Sequence, residues 1–177
     1  MGDGDCGEAV KGVSEAIISL LDKADIAAKG SIFQALFAII DAVDDMGGTL
    51  GAIFGILLSA FASKLREMGP DGMSPTLYST ALVSAVDSLK TYTPAREGDR
   101  TVMDVLIPFA DVFAKTRDFS AAVKIAGEKA EATRELKPKL GRATYVGEHQ
   151  QQRLPDPGAW ALFEMLQGMH GAIESFQ

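Results

Sequence analysis

Apolar residues recur along most of the chain at the three- and four-residue spacing that lines one face of a helix. The first stripe, Ala9, Val10, Val13, Ala16, Ile17, Leu20 and Leu21, predicts an amphipathic helix over 8–21, with Lys11, Ser14 and Glu15 on its other face. Ser31 is a good N-cap for a second helix carrying Ile32, Leu36, Ile39, Ile40 and Val43. That helix ends in three acids, Asp41, Asp44 and Asp45, an unfavourable match to the negative end of the helix dipole. They are read either as a solvated end or as charges compensated by a bound cation. Residues 46–62 are apolar on nearly all sides and predict a buried central helix. The run is not read as a membrane span, because Asp45 precedes it and Lys64, Arg66 and Glu67 follow.

Ser74-Pro75 pairs an N-cap with a proline in the first helical position, and the helix it opens runs through Leu77, Ala81, Leu82, Val86 and Leu89 to stop before Pro94. Thr101 begins a fifth helix with Val102, Val105, Leu106, Phe109, Val112 and Phe113, and Pro108 is expected to kink it. Asp118 or Ser120 caps a sixth, Ala-rich helix over 121–136. Periodicity then vanishes from about Lys139 to Pro157, a loop long enough to be functional or disordered. The last helix opens at Asp156-Pro157-Gly158-Ala159 and carries Leu162, Met165, Leu166, Met169 and Ile173.

At 177 residues the chain predicts a single domain over 1–177. Its 47% hydrophobic content with only 7% aromatics leaves the core to Ala, Leu, Ile and Val, which favours an all-α fold. A net charge of -7 argues against nucleic acid as a partner. The single cysteine, Cys6, excludes an intrachain disulfide, and no basic-then-apolar leader is visible, so a cytoplasmic setting is expected.

The chemistry concentrates at loops that precede helices. Met1-Gly2-Asp3-Gly4-Asp5-Cys6-Gly7 sets two carboxylates two apart on a glycine-rich turn before the first helix. Carboxylates suit Mg²⁺, and a helix N-terminus suits phosphate; a solvated turn is the plain alternative. Gly47-Gly48-Thr49 repeats the design ahead of the central helix, where Gly47, Gly51, Gly55 and Ser59 share one face open to close approach by a helix or a ligand. Arg142, beside Thr144 and Tyr145, would clamp a phosphate or be a solvated loop arginine. Cys6 sits where a dipole favours thiolate, but Asp3 and Asp5 oppose that charge, so it is not read as a nucleophile. His149 and His170 are read as loop and late-helix residues without a catalytic role.

Taken in order, Gly2-Asp3-Gly4-Asp5-Cys6-Gly7, Met46-Gly47-Gly48-Thr49, Gly98-Asp99-Arg100-Thr101, Gly141-Arg142-Ala143-Thr144-Tyr145-Val146-Gly147 and Asp156-Pro157-Gly158-Ala159 resemble the ATP-binding C-terminal domain of the fungal type of dihydroxyacetone kinases, over essentially the whole chain. The resemblance implies an antiparallel up-and-down helical barrel of eight helices, of which about seven are present here. It implies ATP or ADP at one rim, with phosphates held through two Mg²⁺ ions on three aspartates spaced D-x-x-x-x-D-x-D. Asp3 and Asp5 match the second and third; the first would precede Met1, so the chain is expected to be truncated, to lack its first helix, to expose an apolar flank and to be inactive alone.

By position, the resemblance assigns Cys6, Gly7, Glu8 and Ala9 to the phosphate-touching helix start, and Gly48, Thr49 and Leu50 to the second phosphate loop. Thr93 and Val102 fall near the adenine, Arg142 on a phosphate, and Asp156, Pro157 and Gly158 on the nucleotide loop. Glu8, Ala9 and Leu50 replace hydroxyl or amide side chains common in the family, which shifts the load there to backbone N–H groups. The implied substrate, dihydroxyacetone or glyceraldehyde, is held by a histidine of a separate N-terminal domain, normally in one polypeptide with this one and able to form a homodimer. Two other readings are an ADP-holding subunit rephosphorylated by a phosphotransfer protein, and a lipid-binding helical barrel without catalysis.

Overall fold

A computed structural model of the chain describes residues 5–23, 31–69, 74–140, 144 and 154–176. Among them are seven α-helices and one 3₁₀ turn: α1 Cys6–Lys23, α2 Ile32–Asp44, α3 Gly48–Met68, α4 Pro75–Leu89, α5 Met103–Thr116, α6 Phe119–Ala132 with the turn Thr133–Glu135, and α7 Pro157–Ser175. The starts follow the caps that the sequence predicts. The Ser31 hydroxyl accepts from Gln34 N, Ser74 from Leu77 N, and the Asp156 carboxylate from Ala159 N. Of the two candidates for α6 it is Asp118 that caps, accepting from Ala121 N at 3.0 Å, so the helix starts at Phe119.

One expectation is corrected at a helix end. α6 does not continue to Leu136 but tightens into the 3₁₀ turn at Thr133. There the buried Thr133 hydroxyl donates to Ala130 O at 2.6 Å and accepts from the distant Asp156 N–H. Pro108 lies inside α5 and is buried there.

Each helix packs on the next, and α7 packs on both α6 and α1, which closes the ring into an antiparallel up-and-down barrel. The starts of α1, α3, α5 and α7 meet at one rim, while Pro75 at the start of α4 and Phe119 at the start of α6 lie at the other end. An odd number of alternating helices leaves the first and last side by side and parallel. Ile18 and Leu21 of α1 and Met169 and Ile173 of α7 are exposed.

Inside the ring all seven helices contribute to an apolar core built around Phe54, Leu89, Met103, Leu106 and Phe109. Phe109, Phe113 and Phe119 form an edge-to-face cluster at 5.5–5.7 Å between Phe119 and the other two. The core encloses a cavity of about 840 Å³ that opens toward Ser74, Arg117 and Phe119. α3 is long and apolar enough to cross a bilayer by length and composition, and in the barrel it packs between α2 and α4 with Phe54, Leu57, Ala62 and Leu65 buried.

The glycine face of α3 is used by a neighbouring helix. A Cβ on Gly51 would lie 3.3 Å from Val43 O, and one on Gly55 2.7 Å from the Asp44 carboxylate. Asp41, Asp44 and Asp45 are all exposed, and no cluster of three metal-binding side chains occurs among the described residues.

Candidate functional site

The rim where four helices begin holds a cleft of about 510 Å³. Asp5, Cys6 and Ala9 come from α1; Gly47, Gly48, Thr49, Leu50 and Ile53 from α3; Val102 and Met103 from α5; and Asp156, Pro157 and Gly158 from α7. Met46, Thr93, Pro94, Ala95, Arg100, Thr101 and Leu140 complete the lining. The first turn of each of these helices has N–H groups without intrahelical partners, and the aligned peptide dipoles add partial positive charge. Four such dipole ends facing one cleft favour an anion there, the start of α3, which has no side-chain cap, most of all.

The local backbone fits that use. Gly47 and Gly48 have φ of 67° and 65°, the left-handed region that glycine enters without strain, and α3 starts there without a side-chain cap. Gly158 lies where a Cβ would come 3.2 Å from the Asp156 carboxylate, 3.6 Å from Leu50 and 3.7 Å from Val102. The tight neighbour is the capping carboxylate of Asp156 itself, while Leu50 of α3 and Val102 of α5 lie at ordinary contact distance.

A second structural layer supports the lining. The Asp104 carboxylate is buried and accepts from Gly98 N at 2.5 Å and Thr101 N at 2.7 Å, while the Thr101 hydroxyl accepts from Met103 N at 3.2 Å. Asp104 thus reaches back to the Thr101 N–H, one half of a capping box, and its second bond folds the 96–101 loop over the start of α5. Arg100, also buried and at φ 59°, donates from Nη2 to Leu154 O at 3.0 Å, joining that loop to the segment before α7. Asp156 is 9% exposed, and burial holds its carboxyl above the usual range, opposed by the Ala159 N–H bond and the Arg100 charge. Burial, then the Asp156 and Asp5 carboxylates, likewise push the Cys6 thiol up.

Of the residues singled out from sequence, Asp5, Cys6, Ala9, Gly48, Thr49, Leu50, Thr93, Val102, Asp156, Pro157 and Gly158 are brought together around this cleft. Gly7 and Glu8 are exposed on α1 and do not line it. Asp3, Arg142 and His149 lie outside the described residues. His170 is on α7 away from the cleft, stacked 6.3 Å from Phe119 with Nε2 3.6 Å from Glu174. Reading the sequence missed Arg100, Asp104 and Leu140 as individual residues; the signal for Asp104 was its place three positions after Thr101, the capping-box spacing.

The model of the DAK2 domain matches residues 1–171. The chain belongs to the DAK2 domain family. It is 41% identical to a dihydroxyacetone kinase of Komagataella pastoris over 97% of this chain and 30% of that protein. It is 39% identical to dihydroxyacetone kinase 1 of Saccharomyces cerevisiae, over 98% of this chain and 30% of that protein. Human triokinase/FMN cyclase is 29% identical over 98% of this chain and 31% of its own length. The DAK2 domain thus spans about a third of the curated relatives it matches.

Among solved structures, the fold matches native dihydroxyacetone kinase of C. freundii with a TM-score of 0.74 and 25% identity, covering 97% of this chain and 29% of that one. The same kinase crystallised with AMP-PNP and Mg²⁺ matches at 0.71 with 26% identity, over 97% and 29%. The all-α barrel of this DAK2 domain is the fold of that region of the kinase.

Proposed function

We propose that this DAK2 domain binds Mg-ATP at the rim cleft and serves a kinase that transfers the γ-phosphoryl group to dihydroxyacetone or glyceraldehyde. The observation that carries the reading is the meeting of four helix N-termini with the Gly47-Gly48-Thr49 loop and Asp5 around one cleft. The triphosphate would lie across the starts of α1 and α3, held by backbone N–H groups and the Thr49 hydroxyl, with Arg142 reaching an oxygen. The base would lie toward Thr93 and Val102, between aliphatic walls, and the Asp156-Pro157-Gly158 turn would close the floor.

Asp5 suits Mg²⁺ as an exposed hard carboxylate at the phosphate end, and Asp3 would join it. An Mg²⁺ held there would neutralise charge on the phosphates in the transition state. The chain's own residues bind and orient: the helix ends fix the phosphate oxygens, and the buried Asp104 and Arg100 keep the surrounding loops in place. Dihydroxyacetone would be presented by a further domain, in one polypeptide with this one and able to pair as a homodimer, so the DAK2 domain alone would bind nucleotide without turning over triose. A cytoplasmic setting goes with this proposal.

Thermal unfolding tests the reading. Mg-ATP at a hundred times its Kd is expected to stabilise the domain by about 2.7 kcal/mol, ATP with chelator much less, and Asp5→Asn to remove the Mg²⁺ dependence. An unfolding midpoint that Mg-ATP does not move at millimolar concentration would falsify it.

The interior supports a second reading, a lipid-type ligand in the barrel. The 840 Å³ cavity is lined by Leu36, Phe54, Phe61, Phe109, Leu162 and Met165 among other apolar side chains, at the end away from the rim cleft. Organic extraction of the purified chain followed by mass spectrometry would find a stoichiometric amphiphile; a clean extract removes this reading and leaves the first intact.

A further inference from the structure

We infer that residues 136–140 form a strap whose Leu140 walls the base half of the cleft, and that Lys139 positions this strap by a two-point latch onto Asp99. The inference rests on the nucleotide reading above. The cleft divides chemically. Its phosphate half has Asp5, Gly47, Gly48 and Thr49, whereas Leu50, Ile53, Ala95, Val102 and Met103 make an aliphatic half on which a planar base would lie. Leu140 belongs to the second half: it is partly buried, packs on the main core and faces the cleft. Among the described residues it is the sole lining residue between the start of α6 and the cap of α7.

The strap leaves the 3₁₀ turn through Leu136, whose φ of -86° and ψ of 145° are extended, and Pro138 keeps it from resuming a helix. Without helical bonds its position must come from elsewhere. Lys139 supplies it twice: its backbone N–H donates to Asp99 O at 3.3 Å, and its Nζ donates to Asp99 Oδ1 at 2.9 Å. The acceptor is itself fixed. Asp99 Oδ2 accepts from Arg96 N at 2.8 Å, and the neighbouring Gly98 and Thr101 are held by the buried Asp104. A second ion pair, Lys129 to Glu97, ties the same loop to α6. Lys139 therefore grips a loop that is already in place, and the next residue, Leu140, takes its position from that grip. Leu140 would touch the base; Lys139 and Asp99 are positioning residues that act through it.

Calorimetric titration with two probes, Mg-ATP and Mg-tripolyphosphate, separates base from phosphate. Leu140→Ala is expected to weaken Mg-ATP roughly tenfold, as removing methyl groups from an apolar pocket does, and to leave tripolyphosphate unchanged, with Leu140→Met close to wild type. Lys139→Met is expected to weaken Mg-ATP about threefold, within the range of an exposed ion pair, and Lys139→Arg to restore it. Circular dichroism melts identify any variant that has lost its fold. Equal weakening of both probes by Leu140→Ala, or no effect on Mg-ATP, overturns the wall; unchanged Mg-ATP affinity in Lys139→Met overturns the latch. Wild-type binding of tripolyphosphate without ATP keeps the phosphate site and overturns the base wall, and binding of neither overturns the nucleotide reading and this inference together.

Discussion

The backbone N–H of Asp156 donates to the hydroxyl of Thr133 at 2.8 Å, a buried bond between residues 23 apart in sequence. It fixes the cap of α7 to the end of α6, and with it the Pro157-Gly158 turn that floors the cleft. Thr133→Val keeps the shape and removes the acceptor, leaving a buried N–H without a partner at a cost of about 1–3 kcal/mol. Urea unfolding is expected to show that loss for Thr133→Val and little for Thr133→Ser, which keeps the hydroxyl. If the two variants unfold alike, the bond does not hold the turn.

Asp156 also sets a pH dependence whose sign runs opposite to the common carboxylate case. Burial raises its folded pKa above the ordinary 3.8. The folded state thus holds the proton more tightly than the unfolded chain, so the contribution to stability is fully present below 3.8 and is lost as pH rises through the folded value. Asn at this position caps a helix as well and cannot ionise. The stability of Asp156→Asn relative to wild type, from denaturant midpoints at matched pH, is expected to climb from pH 4 upward and then level off. A difference that stays flat from pH 4 to 7 would show that Asp156 titrates as it does in the unfolded chain.

Much of this arrangement was legible in the chain because helix starts are written in local chemistry. Ser31, Ser74, Asp118 and Asp156 each cap a helix through a side chain three residues from its N–H partner, a relation the sequence states directly. The cleft itself was reached through motif resemblance, since no spacing along the chain tells that α1, α3, α5 and α7 begin at one rim. What stayed hidden was burial of charge. Arg100 is 3% exposed and nearby Asp104 2%, because partners 54 and six residues away accept from or donate to them, which nothing in their local sequence announces. Leu140 was hidden for a related reason: its position depends on Lys139 reaching back 40 residues to Asp99.

Gly51 and Gly55 should respond to alanine in an order that distance alone would reverse. The new methyl at Gly55 lies closer to its neighbour, 2.7 Å against 3.3 Å, but that neighbour is the end of the exposed Asp44 side chain, which can rotate away. At Gly51 it is the backbone carbonyl of Val43, which moves only if α2 and α3 separate. Alanine gains about 1 kcal/mol over glycine inside a helix. Gly55→Ala is expected to be neutral to slightly stabilising in thermal melts, and Gly51→Ala to be the less stable of the two. The opposite order would mean that Asp44 is held where it is.

Cys6 offers a label-based check on the cleft, since it is the chain's single cysteine and lines the cleft between Asp5 and Ala9. Partial burial and the carboxylates of Asp156 and Asp5 raise its thiol above the ordinary 9.0, so little thiolate is present at neutral pH. Since the thiolate is the reactive form, alkylation by iodoacetamide at pH 7.5 is expected to run slower than for a free thiol and to rise steeply only above pH 9. Asp156→Asn removes one of the opposing charges and should speed the reaction at fixed pH. Bound Mg-ATP would cover the start of α1 and slow alkylation in proportion to occupancy, and tripolyphosphate should do the same if the phosphate end lies at this helix. Protection by neither probe, in a chain that binds both by calorimetry, would move the phosphates away from α1 and leave the starts of α3 and α7 to hold them.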